Sequence, residues 1–215
     1  MNLFEVLLNP EERAFGADRI YGVTIAIVTN NRDPKKLGRV KVKFPWLSDR
    51  EESHWARIAT LMAGNTQGTY FLPDVNDEVL VAFERGDVRF PYVLGALWNG
   101  KDKPPATNDD GKNNIRVIQS RSGHCIRLND ENGKEKIEII DKSGNNSLVF
   151  DTGKNAIAIT SSQDITLSAN QGTLKLEAKT IELKSAADTQ IESGAAMNLN
   201  ASATMNLKGT TINLN

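Results

Sequence analysis

From residue 157 onward, apolar residues come in pairs one position apart: Ile157/Ile159, Ile165/Leu167, Leu174/Leu176, Ile181/Leu183, Met197/Leu199, Met205/Leu207 and Ile212/Leu214. The first members advance by 8, 9, 7, 16, 8 and 7 residues, and Thr189/Ile191 fills the middle of the long gap as a weakened copy. This octad repeat is the strongest regularity in the chain. Each pair fits one face of a strand of about five residues, with the polar remainder turning a corner. Such a strand has nothing of its own to pack on, so its hydrogen-bond ladder must close above and below and its pair must meet others across a narrow core. Two geometries do this: one chain coiling alone at three octads per turn, or three chains winding together. A single-chain solenoid usually needs a capping element. Here the last repeat runs straight to Asn215, which favours the trimer and leaves Ile212, Leu214 and Asn215 as the surface expected to carry a separate protein. The fifteen residues of these pairs, with Ile191 for the weak copy, are the expected core of that trimeric rod. A core shared by three close strands also accounts for the absence of rings from this stretch.

The first hundred residues follow a different pattern. "GRVKVKF" (38–44) alternates Val40, Val42 and Phe44 with Arg39, Lys41 and Lys43, as a strand with one buried face does. Strands are likewise expected at 21–29, 54–61, 68–72, 78–84 and 92–98, separated by turn signals such as "NNRDPKKLG", "LPDVND" and "ERGD". Short strands without helical periodicity predict a small closed β-barrel. "NGKDKPPATNDDGKNN" (99–114) reads as a linker. After it, "IRVIQS", "CIRLND", "KIEIIDKSGN" and "SLVFDTGKN" read as looser rungs preceding the regular octads. The expected organisation is a segment 1–19, a barrel 20–98, the linker 99–114 and a rod 115–215, all-β throughout.

Composition sharpens this division. All seven prolines lie at or before residue 105, and Phe150 is the only aromatic residue after it. With 26 basic and 27 acidic residues the chain has no global field to hold a polyanion, so nucleic acid is not an expected partner. One cysteine, Cys125, cannot form an internal disulfide, and the start "MNLFEVLLNPEERAFG" lacks the basic region of a signal peptide. Synthesis in a cytoplasm without membrane anchorage is expected.

Candidate chemistry is sparse, and neither catalytic residues, cofactors nor metals are expected. Ser122, His124 and Cys125 in "SRSGHCIRL" could suggest a nucleophile, but positions two apart on a strand lack an orienting third group. A turn at Gly123 explains them better. "ERGD" (84–87) reads as a hairpin turn rather than an adhesion motif. Trp55 and Trp98 are assigned to barrel core or collar contacts, and the basic stripe Arg39, Lys41, Lys43 to a solvated face balanced by Asp49, Glu51 and Glu52. The acidic pairs Glu177/Glu182 and Asp188/Glu192 fall on outer positions, not in a catalytic groove. No His, Cys or acidic cluster lies beyond Glu192 to hold a metal at the end of the rod.

"GRVKVKFPW", "WARIATLMAG" and "GTYFLPDVNDEVLVAFERGDVRFPYVLGALWNGKDKPP" resemble the oligosaccharide-binding-type (OB) barrel of central spike proteins of contractile injection systems, the phage baseplate assembly protein V and VgrG family. "SRSGHCIRLNDENGKEKIEIIDKSGN" resembles the start of the VgrG needle. The resemblance implies a homotrimer whose OB-type barrels form a collar and whose C-terminal strands form an intertwined triangular β-helix. It further implies a hub protein at the barrel end, a PAAR-like protein at the tip, effector cargo as an optional passenger, and transient contact with a target membrane when a sheath contracts and ejects the spike outward. The short linker leaves no room for a wall-cutting domain. A receptor-binding tail fibre or adhesin, and less so a β-helical polysaccharide-degrading enzyme, are the alternative functions.

Overall fold

A computed structural model describes residues 19–47 and 51–213. The segment 1–18 and positions Asp49, Leu214 and Asn215 lie outside the described residues. Among the described residues the fold is all-β apart from one 3-10 turn at Glu84–Gly86, and the chain divides into two units between Gln163 and Asp164.

The alternating segments form β1 (Thr24–Asn30), β2 (Lys41–Lys43), β3 (Arg57–Ile58), β6 (Glu78–Phe83) and β7 (Pro91–Ala96), in the order β2-β1-β6-β7-β3. Val40 and Ala56 exchange both backbone hydrogen bonds, at 3.1 and 2.7 Å, and so join the two outer strands. The sheet is thereby closed into a barrel. Register shifts at Val28/Asn30 and Leu80/Val81 provide the bends that closure requires. Alternate residues point inward, and Ala26, Val28, Val40, Val42, Ala56, Val79, Val81 and Val93 are completely buried, with Phe44 and Phe83 packed ring on ring at 5.5 Å. Small β-branched side chains suit so narrow an interior, because each fills its share without steric conflict across the barrel.

The strand expected at 68–72 is not formed. Instead β4 (Ala63–Gly64) and β5 (Gln67–Gly68) make a two-rung hairpin, and Thr69–Leu72 continue as irregular chain. Gly68 explains the shortness of the ladder: its φ of 144° and a position where a Cβ would lie 2.3 Å from the Met62 carbonyl oxygen turn the chain out of the hairpin.

Residues 99–114 contain no strand. Beyond them β8 (Ile115–Gln119), β9 (Cys125–Asn129), β10 (Lys136–Ile140), β11 (Ser147–Asp151) and β12 (Ala156–Thr160) form one antiparallel sheet in chain order. Tight turns with Gly123, Gly133 and Gly144 at positive φ fold the segment back on itself, which makes it a meander rather than a series of single rungs. Asp74 and Arg121 pair at 3.2 Å between a barrel loop and the β8–β9 turn.

In the second unit no strand occurs among the described residues 164–213. Bends recur at 170–172, 179, 186–187, 194–195, 202–203 and 210, so the octad period seen in the sequence is present in the backbone. The apolar pairs lie in the unbent chain between these positions.

Candidate functional site

The second sheet has two unlike faces, one wholly apolar but for its edge and one mixed. Register places Ile137 opposite Leu128 and Phe150, and Ile139 opposite Ile126 and Leu148. Ile118 continues the second row on β8, while Ile157 and Ile159 continue both rows on β12. The result is one contiguous apolar face of nine large side chains, with Arg116 at its edge held by Asp130. The other face is mixed: Ile115, Val117, Ile140 and Val149 share it with ion pairs, in which Arg127 donates to Glu138 at 2.7 Å, and Lys136 and Lys154 flank Asp151 at 3.5 and 3.8 Å. Hydrogen bonding to Glu138 raises the Arg127 pKa further, which keeps the pair charged.

Among the described residues nothing covers the apolar face. Ile118 is 54% exposed, Ile139 46% and Ile157 66%. The face exceeds the scattered apolar exposure normal for a monomer's surface and has the character of an interaction site. The expected core positions of the second unit are in the same condition. Ile165, Leu167, Leu174, Leu176, Ile181, Leu183, Ile191, Met197, Leu199, Met205, Leu207 and Ile212 are all exposed. Few backbone groups are partnered: among the described residues 164–213 the one backbone–backbone hydrogen bond runs from the Gly172 N–H to the Ala169 carbonyl, and the Ser185 and Ser193 hydroxyls bond the backbone within their own bends. Extended chain with free donors and acceptors and a row of apolar side chains is a template for further strands.

The remaining candidates are resolved by local contacts. Arg39 makes a two-pronged contact with Asp33, both at 2.8 Å, and Lys41 reaches Glu52 at 3.1 Å. The Arg39 fork, helped by the Lys35 and Leu37 N–H groups and opposed by desolvation, holds the Asp33 carboxyl well below the usual carboxylate range. Trp55 lies under Arg39 and Lys41, at 5.8 and 5.7 Å, half-buried on the outside of the barrel, and Trp98 is exposed. Neither belongs to the barrel core. The basic stripe is therefore already balanced by its own carboxylates, and its tryptophan is occupied by cations. Sequence reasoning set Glu52 against the stripe but missed Asp33 and the place of Trp55, which lies fourteen and sixteen residues from Lys41 and Arg39.

The Arg-Gly-Asp triplet lies at the 3-10 turn joining β6 and β7, with Arg85 at φ 50° and Gly86 at φ 78°. Asp87 accepts from Arg89 at 2.6 Å, which pulls its pKa down to about 2. Gly123 has φ 101°, and His124 accepts the Lys142 N–H at 3.3 Å through Nδ1. The Ser122 hydroxyl is 3.3 Å from that of Ser120, which leaves this turn without an assembled nucleophile and base. Glu177 and Glu182 pair with Lys175 and Lys184. Among the described residues no group of three His, Cys, Asp or Glu could hold a metal ion, and no helix is long and apolar enough to cross a membrane.

Residues 24–98 match the family described as the type VI secretion system/phage-baseplate injector OB domain. The chain is 38% identical over 122 residues to the type VI secretion system spike protein VgrG2a of Pseudomonas aeruginosa, covering 52% of the chain and 14% of that protein. It is 31% identical over 109 residues to the spike protein VgrG3 of Vibrio cholerae, covering 47% and 11%, and 30% identical over 108 residues to the actin cross-linking toxin VgrG1 of the same species, covering 46% and 10%. The chain thus spans less than a fifth of the length of these curated relatives. The closed barrel thus matches the injector-type OB family, and through it the chain is similar to type VI and phage-baseplate spike proteins of the VgrG kind.

Proposed function

We propose that this chain is one subunit of a homotrimeric structural spike in a contractile tail or injection system. The barrel, 20–98, supplies the collar, 99–114 the linker, and 115–215 the needle. The observation that carries this reading is the uncovered apolar face of the β8–β12 sheet. After β12 the chain runs on into octads whose apolar side chains are exposed and most of whose backbone groups have no backbone partner, and its barrel matches the injector type. Two further copies supply what is missing. Three such faces turned inward close a triangular core, with the Arg127–Glu138 and Lys136–Asp151 pairs on the outward, mixed faces. Extended octads from three chains satisfy one another's backbone groups and wind into a β-helix. A rod of this kind resists force kinetically, because extracting one strand breaks ladders on three chains.

In this reading the barrel end docks on a hub protein, and the octad end, with Ile212, Leu214 and Asn215, carries a PAAR-like tip protein. Sheath contraction drives the assembly outward through a target envelope. The role is structural, with no catalytic step. Small-angle scattering tests it: the full chain is expected to give a long rod, and deletion of 157–215 a much shorter particle that keeps the barrel. Equal maximum dimensions for the two would refute the needle.

A further inference from the structure

The apolar sheet face does not end at the sheet. A groove of about 2340 Å³ opens beside it, with Ile118 and Ile126 on one wall and the barrel's β4–β5 hairpin on the other. The hairpin wall presents Leu61, Met62, Tyr70 and Phe71. Leu61 is 95% exposed and Phe71 68%, although the buried barrel core is complete without either. The hairpin is shaped rather than slack: Thr66 takes φ 57° and Gly68 φ 144°, with the Gly68 Cα against the Met62 carbonyl. Four large apolar side chains are thus held out on a built support.

We infer that the β4–β5 hairpin is an intersubunit clamp whose apolar side chains press on the first strands, β8 and β9, of a second copy of this chain. The inference rests on the trimeric reading above and adds to it a contact between collar and needle. Three observations choose the occupant. The groove is several times larger than the roughly 300–1,000 Å³ of a small-molecule site, so a macromolecular surface fills it. Its charged lining is of both signs, Lys36 and Arg121 with Asp74, Asp77 and Asp141, and Arg121 already pairs with Asp74, so no single charge marks the groove for an ionic ligand. Its far wall is the same apolar face that neighbouring copies cover in the needle, so any copy seated there also enters the groove. A second copy therefore buries both walls at once, leaving the hairpin as the part of each barrel that grips its neighbour.

The test places a benzophenone at residue 62 through Met62→Cys in a Cys125→Ser background of the full chain, assembled from mixed light and heavy isotope-labelled subunits. Irradiation is expected to give covalent dimers and trimers on denaturing gels, with mixed-isotope cross-links between the hairpin and 115–129 of another copy. Gly68→Ala, which misshapes the hairpin, and Phe71→Asp should each lower that yield several-fold while the assembly keeps its mass. A particle that still sediments as a trimer but yields only same-chain cross-links overturns the clamp alone. A chain that sediments as a monomer overturns the clamp together with the trimer.

Discussion

Val81 and Ile139 hold the same place in the pattern, each near the middle of an alternating strand, yet they end in opposite environments. Val81 is fully enclosed by its own barrel, whereas Ile139, with an equally regular set of neighbours, stays half exposed. The difference lies in closure. The barrel sheet curls until Val40 meets Ala56 and its inward residues find each other within one chain. The β8–β12 sheet stays open, and the octads after it form no ladder of their own among the described residues. An alternating pattern therefore specifies that a face will be buried, but not by whom. The spike reading assigns the first region to self-sufficient folding and the second to folding shared among copies.

The sharpest way to break this contrast is Ile139→Asp. In a shared core it introduces one uncompensated charge per chain, at a cost on the order of 3–5 kcal/mol each, and association should be lost while the barrel's near-ultraviolet circular dichroism persists. If the face is solvated in the functional state, the substitution will leave the sedimentation coefficient unchanged.

Val81→Ala probes the other side. Losing two methyl groups from a closed core should cost about 2 kcal/mol, lowering the melting temperature of the barrel while the subunit count stays fixed. A change in mass would mean that the barrel, too, depends on its neighbours.

Acid provides a gentler discrimination. The folded-state pKa values of Asp33 and Asp87 are depressed, by hydrogen bonds from Arg39 and Arg89 respectively. Their stabilisation is fully present above the unfolded carboxylate value of about 3.9 and fades as pH falls through the folded values, about 2 for Asp87. Because the barrel holds both pairs, its melting temperature should decline by a few degrees between pH 4 and pH 2 on this account, and Asp33→Asn should flatten part of that decline. The smallest effect is expected from Glu177→Gln, which removes an exposed partner of Lys175 worth roughly 0–1 kcal/mol; thermal melts of the two proteins should superimpose.

Much of this was legible in the sequence, for a physical reason. Period-two alternation marks a strand whether its partner is local or foreign, so β1, β2, β6 and β7 and the octads were all visible. The same signal could not distinguish the β8–β12 meander from looser rungs. That distinction lies in turn geometry, where Gly123, Gly133 and Gly144 adopt positive φ. Nor could it place the hairpin, whose limits are set by the contact of Gly68 with the Met62 carbonyl, or the placement of Trp55 under Arg39 and Lys41. The apolar face was readable position by position in Ile126, Leu128, Ile137 and Ile139, but its continuity across five strands emerged only from their register.

Sedimentation equilibrium of the full chain tests the central claim most directly. The account predicts a single species of three times the chain mass, unchanged on dilution through the micromolar range. A stable, well-folded monomer, with the β8–β12 face in water, would contradict it.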